Sequence, residues 1–175
     1  MNDEIKEVIM DSIKNFRLPR YHEIPNVGLY LEQTSKYITD YLQPLGEINV
    51  TGSMISNYVK KKLIANPVKK MYGREQIAYL IFISVAKTVL SMENIRVLFD
   101  IQKKTYEPER AYDYFCSEFE ESLRYVFGAQ KELSAITDKN FDEKLLVRRT
   151  INTSAYKIYL DKCFEVMAQE NKAGD

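Results

Sequence analysis

Apolar positions recur at helical spacing along most of the chain, and they set out a series of helices. Ile5, Val8, Ile9, Ile13 and Phe16 predict an amphipathic helix over residues 2–16. RLPRYHEIPNVG follows, and its Pro19 and Pro25 call for an extended connector. LYLEQTSKYITDYL reads as a second helix with Leu31, Thr34, Ile38 and Leu42 on its buried side, ended by Gln43-Pro44-Leu45-Gly46. Thr51 is a good N-cap for a third helix running to about Leu63. There Ile55, Val59 and Leu63 face inward, flanked by Met54 and Tyr58, while Ser53, Ser56, Asn57, Lys60 and Lys61 lie on the other side. Pro67 closes this region, and VKKMYG is short enough for a tight hairpin or turn.

Arg74 to about Leu90 predicts a strongly apolar helix that buries Ile77, Leu80, Ile81, Val85 and Val89. Ser91 caps SMENIRVLFDIQKK, with Met92, Ile95, Leu98 and Phe99 inward. After Pro108 an aromatic helix extends to about Lys131 through Tyr112, Phe115, Phe119, Leu123 and Val126. A last helical stretch covers 138–170, with a break expected at Thr150–Ser154. Strand signals are almost absent, so the expected fold is mostly α.

Composition narrows the class. With 175 residues, 45% hydrophobic and 29% charged, the chain fits one soluble domain, or a small domain with a helical extension. The longest apolar run, near YLIFISVA, is far shorter than the roughly 20 residues of a membrane span. Asp3, Glu4 and Lys6 do not resemble the start of a signal peptide, which points to a cytoplasmic protein without membrane partners. Cys116 and Cys163 sit in helical apolar patterns and read as reduced core residues. Asn152-Thr153-Ser154 matches a glycosylation acceptor by chance on this reading.

Charge changes the picture. The 25 basic and 25 acidic residues cancel, yet residues 1–104 hold 15 basic and 11 acidic side chains, and residues 105–175 hold 10 and 14. From Thr51 to Arg74 there are six bases (Lys60, Lys61, Lys62, Lys69, Lys70 and Arg74) and no acid. Such a cluster suits a polyanion, while lysines at a helix C-terminus also offset the helix dipole.

Candidate catalytic chemistry is sparse. The single histidine, His22, lies in the connector, and there is no Gly-rich phosphate loop or nucleophile elbow. Two cysteines and one histidine do not make an ordinary zinc site, and Glu118, Glu120 and Glu121 read as a solvated face. The expectation is a non-enzymatic protein that needs no cofactor or metal. The third helix supports more, because small hydroxyl and amide side chains on an exposed face suit base edges, and flanking lysines suit phosphates.

At these residues the sequence resembles the MerR-type winged helix-turn-helix. VTGSMISNYVKKKLI places Val50, Thr51, Ile55, Tyr58, Leu63 and Ile64 in register with that family's first block. YGREQIAYLIFI supplies Tyr72, Ile77, Leu80 and Ile83, with Gln76 for its aspartate, and SMENIRVLFD supplies Ser91, Glu93, Ile95, Arg96 and Leu98. The likeness covers about 48–100. In the recognition helix the family's arginine and first tyrosine are Ser56 and Asn57 here, and its glycine after that helix is Lys62. Pro67 to Tyr72 is half the family's spacing, which truncates the wing. LPRYHEIPNVGLYLEQTSKYI also resembles an uncharacterised bacterial family of unknown-function domains described as DNA-binding regulators.

The resemblance implies a helix-turn-helix domain over 1–104, with its motif core at 48–100. Residues 105–175 would form a helical dimerisation or effector region, a separate unit or one packed into the same domain. It implies a transcriptional regulator that binds double-stranded DNA as a homodimer and answers an effector of unknown identity. Ser53, Ser56 and Asn57 would meet bases; Tyr58, Lys60, Lys61, Lys69, Lys70, Tyr72 and Arg74 would meet phosphates. Aromatic residues of 105–175, among them Tyr112, Tyr114, Phe115, Phe119, Tyr125 and Phe127, suit either core or ligand pocket. The alternative is a protein-interaction module that keeps the fold without reading DNA.

Overall fold

A computed structural model describes residues 3–137 and 141–173. Seven helices carry these residues: α1 (Asp3–Asp11), α2 (Leu31–Leu42), α3 (Gly52–Lys60), α4 (Arg74–Ala86), α5 (Met92–Thr105), α6 (Pro108–Val126) and α7 (Phe141–Ala173). A two-stranded antiparallel sheet joins β1 (Leu29–Tyr30) to β2 (Met71–Tyr72), with Leu29 opposite Tyr72 and Tyr30 opposite Met71. Strands of two residues cannot display a period of two, which is why alternation gave no sign of them.

One continuous core runs from Ile5 in α1 to Cys163 in α7. Ile77, Leu80, Ile81 and Ile83 of α4 are fully buried at its centre, as a helix apolar on nearly every side requires. α6 packs along α7, and α1, α4 and α5 also meet α7. α6 and α7 therefore share the core of the preceding helices. Both cysteines are buried free thiols, and burial pushes Cys116 up to about 12.

Several boundaries depart from the periodicity. α1 stops at Asp11, where the Ser12 hydroxyl donates back to the Ile9 carbonyl at 2.6 Å. The next turn still delivers Ile13 to the core and Phe16 against Phe119, with ring centroids 5.8 Å apart. α4 gives way to a turn after Ala86, leaving Val89 half-buried. The expected break at Thr150–Ser154 does not occur, and α7 passes straight through. There Thr150 and Thr153 donate to the carbonyls of Leu146 and Arg149, and Asn152 accepts from Ser122 at 2.7 Å. The polar run is satisfied along and between helices, so nothing interrupts the ladder.

The three acids of α6 were expected on a solvated face, and the packing corrects this. Glu120 takes both guanidinium nitrogens of Arg20 at 2.7 Å and the Leu18 amide at 2.9 Å. Glu118 holds Arg148 of α7 in a second two-pronged pair at 2.6 and 2.7 Å. Glu118 and Glu120 are each 8% exposed. Glu121 accepts from the amide and hydroxyl of Ser134. Burial raises its pKa, but these bonds and one from Gln130 outweigh that and hold it below the ordinary range. The acids clamp the connector, α7 and the segment after α6 onto one helix.

Candidate nucleic-acid interface

Thr51 caps α3 as expected, its hydroxyl accepting from the Met54 amide at 3.3 Å. Ile55 and Tyr58 are buried, and Val59 is half-buried. Opposite them, Ser53, Ser56, Asn57 and Lys60 are all exposed. Their spacing of three, one and three residues keeps them on one helical face. Lys61 is also exposed and forms the C-cap.

The helix ends one turn before Leu63 because the chain there turns left-handed. Lys62 has φ 56°, its amide donates to the Val59 carbonyl at 2.8 Å, and the Leu63 amide donates to Tyr58 at 2.9 Å. This pair of bonds is a Schellman cap, in which glycine usually takes the position of Lys62. The loss of the glycine noted in sequence thus leaves the turn in place but seats a lysine in it.

Between Pro67 and Tyr72 the chain forms a hairpin of minimal length. Val68 and Met71 exchange backbone hydrogen bonds of 3.0 and 2.9 Å, and between them Lys69 and Lys70 have φ 50° and 66°. Two positive φ values at the tip define a type I′ turn, which favours Asn-Gly. Both lysines are exposed, and β2 anchors the turn to β1 at the start of α2.

Three of the proposed phosphate ligands have other surroundings. Tyr58 and Tyr72 are each 4% exposed, and burial raises both hydroxyl pKa values. They serve the core, and side chains so deeply buried do not reach a phosphate. Arg74 donates to the carbonyls of Ile24 and His22 at 2.8 and 3.1 Å and lies over the Tyr21 ring. It is half-buried and fastens the connector to α4.

Two further basic residues meet α3. Arg96 of α5 donates to the Lys61 carbonyl at 2.6 Å and to the Lys62 carbonyl at 3.4 Å. Lys87 places Nζ 3.8 Å from the Met54 sulfur, where burial lowers its pKa. Arg96 stood in the sequence pattern, but nothing local revealed that it holds the end of a helix about 35 residues earlier. Acids lie at both ends of α3 as well. A Cβ on Gly52 would meet a Glu32 carboxylate oxygen at 3.0 Å, so that carboxylate sits against the helix N-terminus. Glu93 is held below the ordinary range by its own backbone amide and the Ser91 hydroxyl, with Lys61 and Arg96 adding to the effect.

Among the described residues, no group of three or more His, Cys, Asp or Glu side chains is placed to hold a metal ion. No helix among them is long and apolar enough to cross a membrane. A family model for a domain of unknown function (DUF1836) matches residues 19–115, more than half of the chain. The chain belongs to that family, whose matched span runs from the connector into α6 and contains the whole α2–α3–hairpin unit. Neither the curated proteins nor the solved structures gave a match.

Proposed function

We propose that this protein is a cytoplasmic DNA-binding transcriptional regulator with a MerR-like helix-turn-helix, α3 being its recognition helix. The observation that carries the reading is one exposed face of α3 holding Ser53, Ser56, Asn57 and Lys60, with lysines on the adjoining cap and hairpin tip. The hydroxyl and amide groups meet base edges in the major groove, where asparagine pairs with adenine through two hydrogen bonds. Lys60, Lys61, Lys69 and Lys70 meet phosphates, which set affinity and register. The type I′ hairpin acts as a wing reduced to its tip.

Two-fold DNA sites call for two recognition helices, and α7 offers a surface for pairing. Ile151, Ala155 and Ile158 face the core, but Tyr156, Leu160, Phe164 and Met167 are 45–63% exposed on the opposite side. The occupant assigned to this stripe is a second copy of the chain. Lys157 and Asp161 flank the stripe on one edge as an ion pair of opposite charges. Antiparallel two-fold pairing sets like edges together, so Lys157 of each copy meets Asp161 of the other.

Glu32 and Glu93 favour a second reading, because acids at both ends of α3 oppose an approaching phosphate backbone. On that reading the same face docks another protein. Passing pooled genomic fragments over the purified protein at two salt concentrations separates the two. Retention that weakens as salt rises supports DNA binding, and retention no greater than background selects the protein-interaction module.

A further inference from the structure

Between α4, α5, α6 and α7 lies a cavity of about 140 Å³. Its wall is built mainly from Tyr79, Phe82, Leu98, Phe99, Phe115 and Val147. The rings brace one another: Phe82 lies 5.6 Å from Phe99 and 5.1 Å from Phe115, and Tyr79 lies 4.7 Å from Phe99. An enclosed apolar cavity of about 150 Å³ accepts a benzene-sized guest, and this pocket, with the exposed Glu75 and Arg110 in its lining, offers similar room. Gln102 accepts from Tyr79 and donates to the Tyr106 carbonyl, and Thr105 donates to Ile101, whereas Tyr112 and Tyr114, also in the lining, keep buried hydroxyls without a hydrogen-bond partner. Of the charged lining residues, Glu75 and Glu143 balance Arg110 and Lys144, so the site has no preference of sign.

We propose that this cavity is a binding site for a small, uncharged molecule with a single aromatic ring. Its occupancy is felt at α3 through α5. The same helix supplies Leu98 and Phe99 to the wall and, less than one turn earlier, Arg96 to the carbonyls that end α3. A guest that packs against Phe99 restrains α5 and thereby the Arg96 anchor. The consequence for DNA binding rests on the reading of α3 given above, whereas the site itself stands without it.

The test is a titration of the full chain with toluene, followed by NMR in the absence of DNA. Saturable shifts at the Leu98 and Val147 methyl groups are expected, together with slower exchange of the Leu63 amide, which closes the α3 cap. Ala111→Leu, which fills the cavity from α6, should abolish the shifts while the helical circular dichroism stays unchanged. Should that variant not fold, Val147→Phe fills the site from α7 and serves the same purpose. Absence of saturable shifts up to the solubility of toluene, or shifts that survive in a folded filled variant, overturns the site. Arg96→Ala should bind toluene with unchanged affinity and lose the effect on Leu63. Binding without any response of Leu63 in the unsubstituted protein overturns the coupling and leaves the site standing.

Discussion

Arg96 donates to the backbone carbonyl of Lys61 at 2.6 Å and so ties α5 to the end of α3. A helix ends with carbonyls that lack partners within it, and a cation close to them also complements the dipole. Arg96→Ala should raise exchange of the Lys62 and Leu63 amides about tenfold while lowering global stability by no more than about 1 kcal/mol. Hydrogen exchange combined with urea denaturation checks both. Unchanged exchange at the cap would show that Arg96 does not hold it.

Lys62, Lys69 and Lys70 occupy left-handed backbone that a side chain disfavours by roughly 1–2 kcal/mol per residue. Lys62→Gly should therefore stabilise the protein by about 0.5–1 kcal/mol and raise Tm by a few degrees. Replacing Lys69-Lys70 by Asn-Gly should also stabilise the protein, because that pair suits a type I′ turn, yet it should weaken DNA binding. Replacing both with glutamine removes the charge while keeping the strain, so stability stays near its original value and binding still falls. Calorimetry and a binding assay on these variants separate conformation from charge.

The Glu118–Arg148 pair is buried on both sides, with side chains 10% and 11% exposed. Removing one partner leaves a charge uncompensated, so Glu118→Ala should cost on the order of 3 kcal/mol. Changing both residues to methionine should cost much less. Denaturant unfolding of the two variants checks the difference, and equal losses would contradict the assignment.

Mass measurement addresses the α7 stripe. Sedimentation should give twice the 20.5 kDa chain mass, and Leu160→Lys with Phe164→Lys should give a folded single chain. A single chain for the unsubstituted protein at about 100 μM, far above the Kd of a stable dimer, would remove the second copy from this surface.

Helices declared themselves where burial is one-sided or complete. Ile77, Leu80 and Ile81 gave α4, and Thr51 before a polar and apolar alternation gave the start of α3. What stayed hidden depends on distance along the chain or on backbone conformation. Glu120 looks solvated until Arg20, one hundred residues earlier, is brought against it. Val59 and Tyr58 are neighbours, and spacing alone assigned the core to the valine although the tyrosine is the more buried. The solvent-facing side chains of α3 were legible as an exposed polar face, whereas the surroundings of Tyr58, Tyr72 and Arg74 required the packing of other elements. The positive φ values of three lysines have no counterpart in residue type, since lysine seldom adopts them.

On the proposed function, lysines at the end of α3 neutralise DNA phosphates. Fluorescence anisotropy of a labelled random-sequence duplex across a salt series tests it, comparing the unsubstituted protein with Lys60→Ala/Lys61→Ala. Binding should weaken and the slope of log K against log salt should flatten by up to about 1.8, near 0.9 for each lost contact. Equal affinity and equal slope for the two proteins would contradict it.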